Sequence, residues 1–567
     1  MKTICVIMFC LSQWVLCFGG TNYYFSTSGN DTNTGIAQDS PWKSFTKVIS
    51  GPFIAGDSIL LKAGDVFGNL VGTDQYRNRL NLFRDGTSSA PITIGRYGTG
   101  ANPILLGDNT EAVWSLEPGR SNIYSSPLSG ILGVADTNGV LYGQMPTFDD
   151  FVGTQDQWLD TFTNSSWGKL TAGGTVVYLR TSDDSNPDTG KIRAAHRAVE
   201  IDGSYITVEN LDVRRAYQGI SANFSTNIVV RNCNVEDTWG TGLRFYYVVS
   251  GEMASNTVTR AGWTAVYLGD LCLSNRVHHN VISFSTNIIL GISEPYSDAS
   301  ELGGIGMKQG AHNIVEHNEV SEVEGFVDTY YEQGSTIRFN YFNRSRSGSG
   351  VAPTGTGWRI HHNIFNFGPA GQKALGGFWD YDSGLSFGTN DLGPNLIYNN
   401  VFYGFRDYGF YSPTNGQAGV VLRNNIFVSA NVSGSDLART HSGPDSDYNM
   451  FFSLGPTNFY YQVQEVGHSL ALYQSASGME ANSAFGDPQF VSDNPATAAD
   501  FKLKPTSPCI NAGSNLKTEG LLGFGEDYLD YSGAMIPRGA GSDIGAFEFV
   551  NSYGTAISAT VGRITVQ

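Results

Sequence analysis

IRFNYF, residues 337–342, and IHHNIF, residues 360–365, are one phrase written twice. Each runs apolar residue, two variable residues, Asn, one more residue, apolar residue. The phrase recurs as VHHNVI around Asn280, VEHNEV around Asn318, IYNNVF around Asn400 and LRNNIF around Asn425. Weaker copies place Leu211, Cys233 and Asn256 at the Asn position. From 211 to 425 the intervals are 22, 23, 24, 38, 22, 23, 37 and 25 residues. Six of the eight lie between 22 and 25, the length of one coil made of three short strands. Propeller blades would repeat at ~40 residues instead.

The physics of such a coil explains the phrase. Strand alternation sends every second side chain inward. Stacked Val, Ile and Phe fill the core. Stacked Asn side chains hydrogen-bond from coil to coil, because the polar backbone of a buried turn needs partners. The spacing therefore predicts an all-β, three-faced parallel β-solenoid, a β-helix of 22–25 residues per coil. A solenoid also accommodates 567 residues without one oversized core, since each repeat buries its face against its neighbours. Extrapolated over residues 21–550, the repeat gives about a dozen coils.

Composition agrees. Gly accounts for 69 residues, aromatics for 12% and charged residues for only 15%. That mixture suits short strands and tight turns better than long helices. The net charge of −18 excludes nucleic acid as a natural partner, which would want a basic footprint. An acidic ligand would need local cations or a metal. Lys2 followed by the apolar run Ile4 to Phe18 and the small residues Gly19 and Gly20 reads as a signal peptide over residues 1–20. No later run is long enough to span a bilayer. The expectation is an exported monomer. Cys233, Cys272 and Cys509 remain after the signal, an odd number that argues against a disulfide framework.

The phrase, with the segments around it, resembles the right-handed parallel β-helix (pectin-lyase-like) superfamily of secreted bacterial polysaccharide-active proteins. That superfamily includes pectate lyases, chondroitinase B-like and alginate lyases, and several glycosidases. YYFSTSGNDTNTG (Tyr23 to Gly35), PWKSFTKV and GDSILLKAGDVF (Gly56 to Phe67) are similar to its N-terminal cap segment. DPQF, SPCINAG and DIGAFEF, ending at Phe549, are similar to its C-terminal coils. The resemblance implies one β-helix over 21–550, with the less repetitive residues 110–195 an irregular early part of it and 551–567 a tail. It implies a carbohydrate partner, an extracellular polysaccharide, and leaves the reaction open, because this fold hosts lyases, hydrolases and binding proteins alike.

Two long intervals each add about 15 residues to a coil, one between Asn280 and Asn318 and one between Asn363 and Asn400. Insertions in solenoids become loops, often beside the binding face. Three coils separate these two, roughly 14 Å at ~4.8 Å per strand, so they are expected to wall a short cleft.

The repeat register nominates the residues between them. Ten residues before each ladder position the column reads Asn223, Tyr246, Asp270, Lys308, Tyr330, Pro353; twelve before, it reads Ser221, Arg244, Leu268, Gly306, Asp328, Val351. A Tyr–Asp–Lys–Tyr series does not belong in an aliphatic core, so this column is expected to face solvent. Three chemistries fit. Elimination on a uronate polymer needs a base, a charge neutraliser and an acid. Lys308 suits the first or second role, and Tyr330 or Tyr331 the proton donor. Arg244 or Arg338 suits the sugar carboxylate, with Tyr246 beside it. The resemblance implies a Lys on one coil and an Arg on the next. Lys308 in GIGMKQG matches the Lys, while GFVDTYYEQG carries Tyr330, Tyr331 and Glu332 where Arg belongs. A carboxylate at Asp270, one coil away, would favour the charged ammonium and make Lys308 a better stabiliser than a base.

Glycoside hydrolysis needs two carboxyl groups. Asp270 and Asp328 are one option, two coils and so ~9–10 Å apart. Asp380 and Asp382 in FWDYDSG are another, with Trp379 and Tyr381 able to stack on sugar rings; Asp298 and Glu301 lie in the first insertion. The third chemistry is binding without cleavage. Calcium is the cofactor to expect if any, held by Asp270, Asp328 and Glu332. The pairs His278–His279 and His361–His362 precede ladder Asn residues, and repeat position accounts for them.

Overall fold

The computed structural model describes residues 19–68, 78–109, 112–128, 131–136, 142–145, 147–171, 174–187, 191–285, 303–323, 325–345, 350–368, 383–387, 394–412, 419–430, 435–440, 444–461, 464–522 and 528–550. Each repeat phrase forms a bend between two strands. Ile337 in strand Thr336–Arg338 and Phe342 in strand Tyr341–Ser345 both point inward and are fully buried. The residue before the Asn takes a left-handed backbone, with φ of 55° at His279, 52° at His317, 56° at Phe339 and 53° at His362. The Asn then joins coil to coil. Asn340 N and Nδ2 donate to Asn363 Oδ1 at 3.1 and 2.9 Å, and Nδ2 also reaches Val315 O of the preceding coil at 2.9 Å. The ladder starts where Cys233 N donates to Asn256 Oδ1. It ends where Asn449 Nδ2 donates to the buried Glu480 carboxylate at 3.0 Å. Every orphan donor of the turn is thereby satisfied by a neighbour in the same position.

Three strands per coil stack into three parallel sheets, each of thirteen strands among the described residues. Sheet 1 runs from Asn22–Phe25 to Asp445–Asp447, and sheet 2 from Val66–Phe67 to Ala484–Phe485. Sheet 3 starts at Leu80–Leu82 and ends at Thr457–Tyr461 with the antiparallel Gln464–Gly467. The chain is a right-handed parallel β-helix. The last residue of the phrase builds a ring stack through the core, Phe342–Phe365–Phe402–Phe427, with centroids 4.8, 4.9 and 5.1 Å apart and planes within 8°. Helix Thr46–Ser50 with Trp42 and Phe45 closes one end of the core. Helix Leu470–Ser477, capped by Ser469 and by Gly478 at φ 72°, closes the other with Leu470 and Tyr473.

Two parts depart from the expected continuous coil. The described residues between 112 and 195 are not irregular coil but a mainly antiparallel unit with strands Ser115–Leu116, Tyr124–Ser126, Ser166–Lys169 and Val177–Arg180 in one sheet. Trp114, Trp167, Val177 and Leu179 give it a core of its own, and Trp158 heads a second cluster. Asp108, fully buried, anchors it by pairing with Arg193 at 2.7 Å and Arg215 at 3.1 Å. The C-terminal phrases do not coil either. After Ala484–Phe485 the chain returns along the outside of sheet 2, laying Phe490, Phe501, Cys509 and Phe547 on Ile364, Val401, Tyr403 and Ile426. DPQF and SPCINAG keep their apolar residues for this packing, which mimics a coil's pattern. Cys233, Cys272 and Cys509 are free and buried, and burial pushes each thiol up to about 12.

The antiparallel unit and both insertions leave from one turn. The chain exits sheet 2 after Ile104–Leu106, Val281–Ser283 and Ile364–Asn366, and re-enters in sheet 3 at Val199–Ile201, Ile305–Lys308 and Ser383–Ser386. All three connections therefore join sheet 2 to sheet 3. Among the described residues no helix is long and apolar enough to cross a membrane. The signal-peptide run and the tail 551–567 lie outside the described residues.

Candidate functional site

The three outer faces differ in kind. Sheet 1 carries ion pairs running across coils, such as Arg276–Glu316–Arg338. Sheet 2 is covered by the returning C-terminal segment over its later coils, from Tyr341 onward. Sheet 3 presents an outward row of polar and aromatic side chains. Alternation creates it. Ile305 and Met307 point into the core, so Gly306 and Lys308 point out; Val327 and Thr329 point in, so Asp328 and Tyr330 point out.

Pairing register defines the row: Ser221, Arg244, Tyr267, Gly306, Asp328 and Ala352 are successive partners. Two residues further along, Asn223 pairs with Tyr246 and Lys308 with Tyr330. The row corrects the sequence count on two coils. Leu268 pairs with the core residue Met307, so Leu268 points inward, and the coil then bulges: Gly269 N donates to Phe245 O and Asp270 O accepts from Tyr247 N, so both residues stand opposite Tyr246. That coil has one extra residue in its turn between strand and ladder, which shifts the count. Likewise Val351 is a core residue and Ala352 occupies the outward position. Gly306 and Gly269 leave room for the Tyr267 ring, which would meet a Cβ at 2.9 and 2.7 Å respectively.

Lys308 Nζ donates to Asp328 Oδ2 at 2.5 Å and lies 5.8 Å from the Tyr330 ring centroid. The ammonium is 6% exposed as part of its residue, while Tyr330 is 46% exposed above it. Asp328, on the next coil, is thus a partner of Lys308. Asp270 accepts from Tyr246 Oη at 3.1 Å, on the preceding coil. Asp270 is three residues beyond Tyr267, which aligns through Gly306 with Asp328 two strands away. Arg244 Nη1 donates to Asn223 Oδ1 at 2.8 Å, and its guanidinium sits 4.3 Å from the Tyr246 ring centroid.

Glu332 belongs to the fold and not to the face. It is fully buried, accepts from Gly310 N at 2.8 Å, Asn313 Nδ2 at 2.6 Å and Ser335 Oγ at 2.8 Å, and burial raises its carboxyl above the ordinary value. Asp270, Asp328 and Glu332 consequently do not share a calcium site. Among the described residues no group of three or more His, Cys, Asp or Glu side chains is placed to hold a metal ion. Arg338 is on sheet 1, bound to buried Glu316 at 2.7 Å, and does not reach this face. Trp379, Asp380 and Asp382, like Asp298, Glu301 and Tyr381, lie outside the described residues.

Two features of the face escaped the column count. At its head, buried Glu200 gathers Arg79, Arg197 at 2.6 Å and Asn81 at 3.1 Å. Burial, reinforced by neighbouring Arg244, lowers the Arg197 guanidinium below its ordinary value. This places three arginines on one end of an acidic protein's face. Along the far edge, Phe224, Tyr247, Leu271, Gln309 and Tyr331 all occupy left-handed backbone, with φ between 49° and 56°. Bulky residues rarely adopt it. Phe224 is 72% exposed and Tyr331 47%. The signal was present: each stands nine residues before a ladder position, at 233, 256, 280, 318 and 340.

The family model of the right handed beta helix region matches residues 161–292. Lacto-N-biosidase of Bifidobacterium longum subsp. longum is 24% identical over 467 residues, which is 72% of this chain. The chain spans only 27% of that relative's length. Among solved structures, the complex of XylC with xylose superposes with a TM-score of 0.57 at 14% identity, covering 94% of this chain and 98% of that one. Pectate lyase Pel9A gives 0.43 at 16% identity, over 93% and 96%. At these identities the structural likeness establishes the fold alone.

Proposed function

We propose that this chain is an exported enzyme that cleaves a polysaccharide along the outer face of sheet 3. The observation that carries the reading is the group Lys308–Asp328–Tyr330, two coils from Arg244, on a face that combines cations with exposed tyrosine rings. Arg79, Arg197, Arg244 and Lys308 give an acidic protein the local cations that an acidic polymer needs. Exposed rings on Tyr330 and Tyr331 suit a sugar, whose apolar ring face can lie on them.

Among reactions, the face supports elimination on a uronate polymer. In that reaction a proton leaves the carbon beside the carboxylate, the bond to the leaving glycosidic oxygen breaks, a double bond forms and the oxygen takes up a proton. Lys308, held by Asp328 at 2.5 Å on the outer face, is placed to neutralise the developing charge. Tyr330 stands over it as the proton carrier, and Arg244 is the partner for the sugar carboxylate.

A second reading, glycoside hydrolysis, is favoured by the sequence kinship with lacto-N-biosidase. Asp270 with Asp328, or Asp380 with Asp382, would supply its two carboxyl groups. The deciding experiment incubates the purified chain with alginate, pectate, glycosaminoglycans and neutral glycans, with and without calcium. Unsaturated-uronate absorbance and new reducing ends are followed together. Both rising supports elimination. Reducing ends without absorbance overturns elimination in favour of hydrolysis. Neither signal on the whole panel overturns cleavage and leaves a carbohydrate-binding solenoid.

A further inference from the structure

On the opposite corner of the solenoid, at the turn between sheets 1 and 2, a cleft of about 420 Å³ opens between the coils and the returning C-terminal segment. His279, His317 and Phe339 line one wall, Ala496–Ala498 and Tyr531 line the other, and Tyr341 and the exposed Glu319 complete the lining. Its volume is in the range that holds a small ligand.

The column of residues before the ladder Asn changes character at this cleft. It reads Asn210, Asn232, Ser255, then His279, His317, Phe339, His362, then Asn399, Asn424 and Tyr448, all at positive φ. Asn is the residue this backbone tolerates best. Where the C-terminal segment touches the column directly, Asn is kept: Asn399 Nδ2 donates to Asp543 O at 3.0 Å, and Asn424 Nδ2 to Ser514 O at 3.1 Å. Where the cleft holds the segment away, rings replace it. His279 stacks on His317 at 5.1 Å and His317 on Phe339 at 5.0 Å, so their edges, not their faces, border the cleft.

Hydrogen bonding determines what His279 offers. Glu252 Oε1 is 2.6 Å from His278 Nε2, and His278 Nδ1 is 2.9 Å from His279 Nδ1. A carboxylate only accepts, so His278 carries its hydrogen on Nε2 and its Nδ1 accepts in turn. With both rings neutral, His279 must carry its hydrogen on Nδ1. Its Nε2 is then a bare lone pair on a side chain that lines the cleft. Glu319 adds two more acceptors, and it is the one carboxylate of the lining. Acceptors in a row call for a ligand rich in hydroxyl donors, and the Glu319 charge rejects an anion.

We propose that this cleft binds a neutral sugar unit, its hydroxyls donating to His279 Nε2 and Glu319. The site is separate from sheet 3 and does not depend on what that face does. The test titrates the full chain with xylose, galactose and N-acetylglucosamine by ligand-observed NMR. His279→Asn and His317→Asn are the variants, because Asn already occupies the same turn at 232 and 399 and lets the coil fold. At least one sugar is expected to bind, at least tenfold more weakly to either variant, and equally well to Arg244→Ala on sheet 3. Nitrogen-15 NMR should find the neutral His279 hydrogen on Nδ1. Binding of none of the three sugars, binding that Arg244→Ala removes, or binding that both Asn variants retain overturns the proposal.

Discussion

The outer faces of sheets 2 and 3 come from the same coils, with the same alternation, and have opposite fates. On sheet 2, from Asn340 onward, the residue after each ladder Asn points outward and is apolar: Tyr341, Ile364, Val401, Ile426, Met450. These side chains are buried because the C-terminal segment lies on them. Tyr403 meets Phe501 at 5.4 Å and Phe490 at 6.2 Å. On sheet 3 the outward positions hold Arg244, Tyr246, Lys308, Asp328 and Tyr330, paired with one another and left to solvent at Tyr330. An outward apolar residue in a solenoid announces a cover. An outward cluster of charges beside exposed rings, where nothing covers it, announces a ligand.

The largest effect separates the two faces by stability. Phe501→Ala empties a site that is 1% exposed in the sheet 2 cluster. It should cost about 3–5 kcal/mol, read as a lower denaturant midpoint, and leave turnover at low temperature unchanged. An unchanged midpoint would mean that the segment is not a structural cover. Next comes Lys308→Ala, expected to lower kcat by about 10²–10³-fold, as for removal of one stabiliser of transition-state charge. Lys308→Arg should recover part of the loss. Turnover within twofold of wild type in Lys308→Ala would move the chemistry off this group.

The fold was legible because one turn repeats nine times and its Asn ladder admits few alternatives. The face was legible in part. Counting back from Asn318 and Asn340 found Lys308 over Asp328 and Tyr330, since those coils have identical turns. The same count failed at Asp270, where one extra turn residue rotates the chain, and at Glu332, whose charge hides a structural role among Gly310, Asn313 and Ser335. The C-terminal return and the antiparallel unit were illegible as such: alternation inside a strand does not say which neighbour covers it. The outward apolar residues after the ladder Asn were the clue to a cover.

Sheet 1 supplies the control for charge. Burial would raise the Glu316 carboxyl, but the Arg338 and Arg276 guanidinium groups outweigh it and hold Glu316 below the ordinary carboxylate value. A depressed carboxylate stabilises the fold above its unfolded value, and the contribution is lost as pH falls through the folded one. Arg276 is half exposed, so Arg276→Ala should cost at most about 1 kcal/mol near neutrality. The gap between wild type and variant should close as acid protonates Glu316. A gap that persists at low pH would show that Arg276 contributes by packing and not by charge.

The smallest effect has the sharpest sign. Tyr331 lies at φ 50°, on the edge of the sheet 3 face, with nearly half its surface exposed. A left-handed backbone costs an ordinary residue roughly 1 kcal/mol or more, and Asn less. Little burial repays that cost at this position. Tyr331→Asn should therefore raise stability by up to about 1 kcal/mol while weakening polymer binding. The two readouts are expected to move in opposite directions, as they do when strain is kept for function. A variant that is both more stable and binds polymer as tightly as wild type would reduce the edge column to a tolerated irregularity, and would confine the ligand to the rows of Arg244 and Lys308.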